Sequence, residues 1–262
     1  MKKGNHLFVK MVGAFLVALT SIPLIVLMGV SLNPGVEQVF PPRGLSLRWY
    51  WGILEHDRFI EAMRFSLVLG FGSSLVSVVA ALLAGLAIVR GRFLGRDLLM
   101  TILMSPLIVP QVVIGMAFLI TLSSMGIVSS LISLSILHCV ITLPFATRVI
   151  VSTLGQTAIS LEEAAQSLGA PPAVAFVKIT LPIVRPGVIA AGMFAFVTSF
   201  ENFTASQFLV WDRTTLPVEI YTFVLTESDP TAAAVSFLIV LSIIILVVIF
   251  NRFVAEYMYR GR

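Results

Sequence analysis

Only one cysteine, Cys139, occurs in the chain. That excludes an internal disulfide framework and a cysteine-built metal cluster. Charge is scarce too: 11% of the 262 residues are Asp, Glu, Lys or Arg, against about 25% in ordinary soluble domains. A soluble single-core fold could not cover its surface with so few charges, so lipid must cover much of this one. The short alternating segments of β-barrel strands are missing. So are a Gly-rich phosphate loop, a nucleophile triad and a pair of catalytic acids. No loop is large enough for a catalytic domain, so an enzyme is not expected, and ATP has no binding motif in the chain itself.

What remains is mostly apolar: 58% of residues are hydrophobic and the mean hydropathy is +1.03. A spanning helix needs about 20 mainly apolar residues. Six stretches qualify: 8–32, 63–89, 98–123, 127–150, 184–210 and 230–252. The first follows Lys2, Lys3 and Lys10 as a signal peptide would. Its apolar run is too long for an h-region and no small-x-small cleavage site precedes Asn33, so it reads as a retained helix. Residues 98–147 contain no Asp, Glu, Lys or Arg and are too many for one helix; Ser123-Ser124-Met125-Gly126 supplies the dividing turn. The expected fold is an all-α integral membrane protein, one transmembrane domain over 1–262.

With the N-terminus inside, the outer loops receive Arg43, Arg48, Arg58, Arg64 and Arg213, and the inner side receives the other twelve of the 17 Lys and Arg. This positive-inside bias puts both termini in the cytoplasm. It also accounts for the net charge of +4 without invoking nucleic acid. The longest outer loop, 33–61, carries Trp49-Tyr50-Trp51, aromatics expected at the lipid headgroups.

The segment EEAAQSLGAPPAVAFVKITLP, from Glu162 to Pro182, interrupts the apolar pattern on the cytoplasmic side. Ser160 with Glu163 three residues on reads as a capping box. Glu162 and Glu163 suit the positive end of a helix dipole. Ala164 and Ala165 favour helix, and Gly169 is a natural stop before Pro171 and Pro172. A short helix over 160–169 is therefore expected, a compact knob suited to another protein's groove. The alternative is an amphipathic helix lying on the headgroups, but it would carry no Lys or Arg for anionic lipid.

Glu163-Ala164-Ala165, three residues, Gly169, nine residues, then Ile179-x-Leu181-Pro182 resembles the EAA signature of permease subunits of binding-protein-dependent ABC importers. "SLNP", "RWYWGIL", "SPLIVP" and "LPFATRVI" are similar to the polyamine-type subgroup, in particular its second permease subunit. The resemblance implies a type I ABC importer permease fold with six spans in a bacterial inner membrane, and makes 160–169 a coupling helix. It implies that Glu162, Glu163, Ala164, Ala165 and Gly169, with Ile179, Leu181 and Pro182 behind them, dock an ATPase subunit. The implied partners are a second permease (homologous or identical), two ATPase subunits and an extracytoplasmic solute-binding protein. No cofactor belongs to the chain; ATP and Mg would sit on the ATPase.

Glu201 is the only acid within an expected span. An intramembrane carboxylate is costly and usually faces a cavity or partner. Thr198, Glu201 and Thr204 recur at three and share an expected helical face with Asn202 alongside and Phe208 a turn further, so they are candidates to line a solute path. A carboxylate among aromatics suits an ammonium solute. The alternative is an interhelical hydrogen-bond patch. Polyamine-specific relatives show two consecutive acids here, where this chain has Glu201-Asn202, so an amino acid, opine or phosphonate stays open. His138 beside Cys139 lacks further ligands and reads as a hydrogen-bonded interior histidine. Gly70, Gly72, Ser73, Ser74 and Ser77 read as a packing surface. Ser105-Pro106 and Pro110-Gln111 would kink the third helix, either to line the path or to pack. A stand-alone ion-coupled carrier would need several buried charges and inverted repeats, and a membrane enzyme a polar catalytic cluster; neither pattern occurs.

Overall fold

The computed structural model describes residues 3–156, 160–227 and 229–260. Among them the chain is helical, with no strands. The helices are α1 (Lys3–Ser31), α2 (Arg48–Gly52), α3 (Asp57–Arg90), α4 (Arg96–Met104), α5 (Gln111–Ser124), α6 (Ser130–Gly155), α7 (Ser160–Ser167), α8 (Pro172–Ala175), α9 (Leu181–Phe200), α10 (Leu216–Thr226) and α11 (Thr231–Arg260). A π turn, Phe176–Thr180, joins α8 to α9. Among the described residues, five segments are long and apolar enough to cross a bilayer: Phe8–Ser31, Asp57–Arg90, Ser130–Gly155, Pro172–Phe200 and Thr231–Phe250. The expected third span is a bent pair instead, Arg96–Leu107 and Gln111–Ser124, turned by 98°. Pro110 explains the break. It has no N–H to continue a helix, it excludes Val109 from the helical region, and its own ψ of 132° is extended.

The chain packs as two units, Met1–Glu61 with Glu219–Arg252, and Ala62–Val218 with Phe253–Arg262. In the first, the loop after α1 is tied by Asn33. Its carbonyl accepts from Trp49 Nε1 at 2.7 Å, and its carboxamide donates to the Glu37 carbonyl at 2.6 Å. Trp49 is therefore 7% exposed and Tyr50 bonds Ser31 at 2.6 Å. Of the three aromatics expected at the headgroups only Trp51 is widely exposed, at 69%; the other two close the loop because their polar ends find partners there. Arg58 lies between Glu219, at 3.4 Å, and Glu227, at 3.0 Å.

Among the described residues of the second unit lie two apolar clusters. One gathers Phe65 and Leu69 of α3, Ile114 and Leu122 of α5, Leu134, Leu137 and Ile141 of α6, and Ala205 and Leu209 after α9. The other gathers Ala81 of α3, Ala146, Ile150 and Leu154 of α6, and Val184 and Ala191 of α9. At the start of α6, the Ser130 hydroxyl accepts from the backbone N–H groups of Trp211, Asp212 and Arg213. The Asp212 carboxylate accepts from the Ser130 N–H at 2.9 Å, which holds its carboxyl below the usual range.

Helices α6 and α9 pack side by side along much of their length. A Cβ on Gly187 would stand 2.2 Å from the Thr153 Oγ1, nearer than any real contact. Gly187→Leu therefore forces the two helices apart, at about 1–3 kcal/mol for overpacking. The expected result is a lower melting midpoint in detergent; an unchanged midpoint would show that this contact does not set the spacing.

Candidate functional site

Two groups of polar side chains in the second unit include the residues expected to act. The first is on α7. Ser160 is its first helical residue, so the position ahead of the helix is residue 159, outside the described residues. The far end closes as a Schellman motif. Gly169, at φ +91°, donates to the Gln166 carbonyl at 2.9 Å, and Ala170 donates to the Ala165 carbonyl at 3.0 Å. Glycine is required there because a Cβ disfavours left-handed backbone.

The two acids of α7 have different surroundings. Glu163 is exposed, with Ala164, while Ala165 is half-buried. Glu162, expected to face a partner, is 8% exposed and turned inward. Its Oε2 accepts from Arg90 Nη1 at the end of α3 and from the Thr180 hydroxyl at the end of the π turn. Successive helical residues are about 100° apart, so adjacent acids cannot share one outward face. The outward side instead carries Leu161, 52% exposed, and Leu168, 90% exposed, beside Glu163 and Ala164. Sequence reasoning missed both leucines, although their exposure follows from the helical period once Glu162 is known to point in. Ile179 and Leu181 are half-buried and Pro182 is exposed, on the way into α9.

The second place is the end of α9. The helix stops at Phe200, ten residues before the expected boundary. Asn202 supplies the reason: its Oδ1 accepts from the backbone N–H groups of Ala205, at 3.3 Å, and Ser206, at 3.2 Å. That carboxamide offers the chain a turn in place of a helix. Thr198, Glu201 and Thr204 therefore do not form one helical face. Thr198 is still in α9; Glu201 follows its last residue and is exposed; Thr204 lies in the irregular stretch beyond. Phe208 packs against α5, where a Cβ on Gly115 would meet its ring at 2.7 Å.

Asn202, expected beside a path, is buried in a hydrogen-bonded network. Its Nδ2 donates to Gln111 Oε1 at 2.9 Å, just past the 98° bend, and its Oδ1 also accepts from the Ser206 hydroxyl at 2.9 Å. His138 joins the same network: Nδ1 meets Ser199 Oγ at 2.6 Å and Nε2 meets Ser206 Oγ at 2.9 Å. Both ring nitrogens thus have hydroxyl partners, the interior role read from the sequence. Ser73 extends the network to α3 through Ser199, at 3.1 Å. Ser74 and Ser77 are buried alongside, and Gly70 lets the Phe196 ring approach. Four separate stretches are thereby stitched at one level: α3, α6, the end of α9 and the start of α5.

A family model described as "Binding-protein-dependent transport system inner membrane component" matches residues 75–258. The putrescine transport system permease protein PotI of Escherichia coli is 28% identical over 225 residues, 83% of this chain and 80% of that protein. The spermidine/putrescine transport system permease protein PotC of Escherichia coli is 27% identical over 243 residues, 90% of each. The molybdenum transport system permease protein ModB of Haemophilus influenzae is 31% identical over 204 residues, 71% of this chain and 89% of that protein. Among solved structures, a bacterial alginate ABC transporter in complex with alginate pentasaccharide-bound periplasmic protein aligns with a TM-score of 0.72 at 17% identity, over 95% of this chain and 94% of that one. The inward-facing MetNI methionine ABC transporter aligns at 0.60 and 19% identity, over 81% and 99%. The fold is therefore that of a type I ABC importer permease.

Asn202→Ala leaves the buried backbone N–H groups of Ala205 and Ser206 without partners, at about 1–3 kcal/mol for each unsatisfied group. The expected result is a lower melting midpoint in detergent. A variant with wild-type stability and altered solute affinity would return Asn202 to the solute path.

Proposed function

The chain belongs to the family of inner membrane components of binding-protein-dependent transport systems, and from that premise we propose that it couples an ATPase to import of a polyamine or related small amine through α7. As a member it is an inner-membrane permease subunit of an ABC importer, a transport protein rather than an enzyme. In this reading the N- and C-termini are cytoplasmic, and so are the end of α3 and α7.

The observation that carries the coupling role is the outward face of α7. An exposed helix with Leu161 in its first turn, Leu168 just past its end, small Ala164 between them and an exposed carboxylate, Glu163, suits a groove with apolar walls and a basic rim. The Gly169 turn ends the knob sharply. The assembly comprises this chain, a second permease, two ATPase subunits carrying ATP and Mg, and an extracytoplasmic binding protein. Closure of the ATPases moves the knobs together and opens the path outward; hydrolysis resets it. The permease contributes mechanics, and the free energy comes from its partners.

The relatives' named cargoes, putrescine, spermidine and molybdenum, span different chemistries, so the amine assignment rests on this chain's own residues. Glu201 supports it, as an exposed carboxylate beside the aromatic run Phe196, Phe200 and Phe203. Phe196 and Phe200 stack at 5.6 Å.

Glu163→Lys and Gly169→Pro are expected to insert normally, lose association with the ATPase and lose uptake. Wild-type uptake by both variants would remove the docking role of α7. Glu201→Gln is expected to weaken uptake of putrescine by reconstituted complex about tenfold, the scale of one charged contact; unchanged uptake kinetics would end the amine assignment.

A further inference from the structure

We propose that Arg90, Glu162 and Thr180 form a latch that fixes α7 to the end of α3 and the start of α9, so that a push on α7 moves both helices as one lever. This rests on α7 being the ATPase-docking segment, and it assigns to three residues a task separate from docking.

Three distant parts of the chain meet at one carboxylate oxygen. Glu162 Oε2 accepts from Arg90, 72 residues away, and from Thr180, 18 residues away. Arg90 Nη2 also donates to Thr180 Oγ1 at 3.3 Å, which closes a triangle. The Arg90 and Glu162 side chains are only 20% and 10% exposed. A pair so far removed from water differs from a surface ion pair: loss of one partner leaves a buried charge uncompensated.

The local backbone is arranged for this contact. Ala175, Thr180 and Val184 are all buried, at spacings of five and then four. A regular helix aligns residues three or four apart. The π turn at Phe176–Thr180 admits the fifth residue and so brings Thr180 into line with Val184 and with Ala191 and Ala195 further along α9. Thr180 occupies the position the signature leaves open between Ile179 and Leu181, and yet it is the buried one, at 1% exposure.

The latch is also what makes α7 stiff. Eight residues are too few to hold a helix by themselves, and Gly169-Ala170-Pro171 offers a turn rather than a continuous rod to α9. With Glu162 tied, displacement of α7 reaches α3 through Arg90 and α9 through Thr180. It then reaches the cluster of Ala81, Ile150 and Val184, where α3, α6 and α9 are packed together.

Arg90, Glu162 and Thr180 are thus positioning residues, and the test compares coupling with docking. The full importer, with its ATPase and binding protein, is reconstituted in proteoliposomes with putrescine as probe. Co-purification of the ATPase, hydrolysis rate and putrescine taken up per ATP hydrolysed are measured together. Glu162→Gln is expected to keep the ATPase bound, because Glu163, Leu161 and Leu168 are untouched, while uptake per ATP falls about tenfold. Thr180→Val is expected to change uptake per ATP in the same direction by a smaller factor. The exchange of Arg90→Glu with Glu162→Arg is expected to exceed either single reversal. Wild-type uptake per ATP in Thr180→Val overturns the latch whether or not Glu162→Gln accumulates, as does an exchange no better than its single variants. Failure of the wild-type chain to retain an ATPase is a different result, and strikes the docking role of α7 instead.

Discussion

Hydrocarbon offers backbone N–H and C=O groups no partner, so a chain this apolar can leave the helix only where its own side chains or turns take over the hydrogen bonds. Several interruptions in the second unit have such a device. Asn202 receives the N–H groups of Ala205 and Ser206 where α9 stops. The Ser130 hydroxyl receives those of Trp211, Asp212 and Arg213, and the Ser66 hydroxyl receives that of Leu216 at 2.7 Å. Gly169 and Ala170 satisfy the last carbonyls of α7 through the chain's own left-handed turn. These polar groups at helix ends allow broken helices to persist among apolar neighbours.

The same economy gives the transport reading its physical form. Glu162 and Glu163 look interchangeable in a row of letters, yet one is consumed internally by Arg90 and Thr180 while the other is left outside. A knob that must both fit a partner and pull on the membrane helices needs these two kinds of contact on opposite sides. At the other end of α9, His138, Ser199, Ser206 and Asn202 bind one another, which leaves Glu201 as the exposed group of that region. Stiffness near the knob and a stitched polar layer near Glu201 are both properties of α9, the helix that joins them.

Much of this was legible in the residues. Low charge and long apolar runs dictate a helical membrane protein because lipid selects for closed backbone hydrogen bonding. Gly169 announces its turn, since few other residues tolerate φ of +91°. His138 without neighbouring ligands reads as an interior hydrogen-bonded group. Other expectations depended on where helices end, and apolar composition is a poor guide to that. The fifth apolar stretch runs on to 210 although its helix stops at Phe200, because a single carboxamide at 202 outweighs the hydropathy of its neighbours. In the third stretch the kink expected at Pro110-Gln111 is there, but its size, a turn of 98°, is set by packing rather than by composition.

The sequence by itself determined the solvent, the helical class and the signature of the knob, because those depend on composition and on residues close together along the chain. Only the tertiary structure decided which acid of the pair faces inward, that Arg90 meets it from 72 residues away, and that Thr180 completes the contact. Those choices depend on which helices lie side by side and on one π turn that shifts the register of α9. No local spacing encodes them, since side chains far apart in sequence become neighbours only after packing has set the distance between their helices.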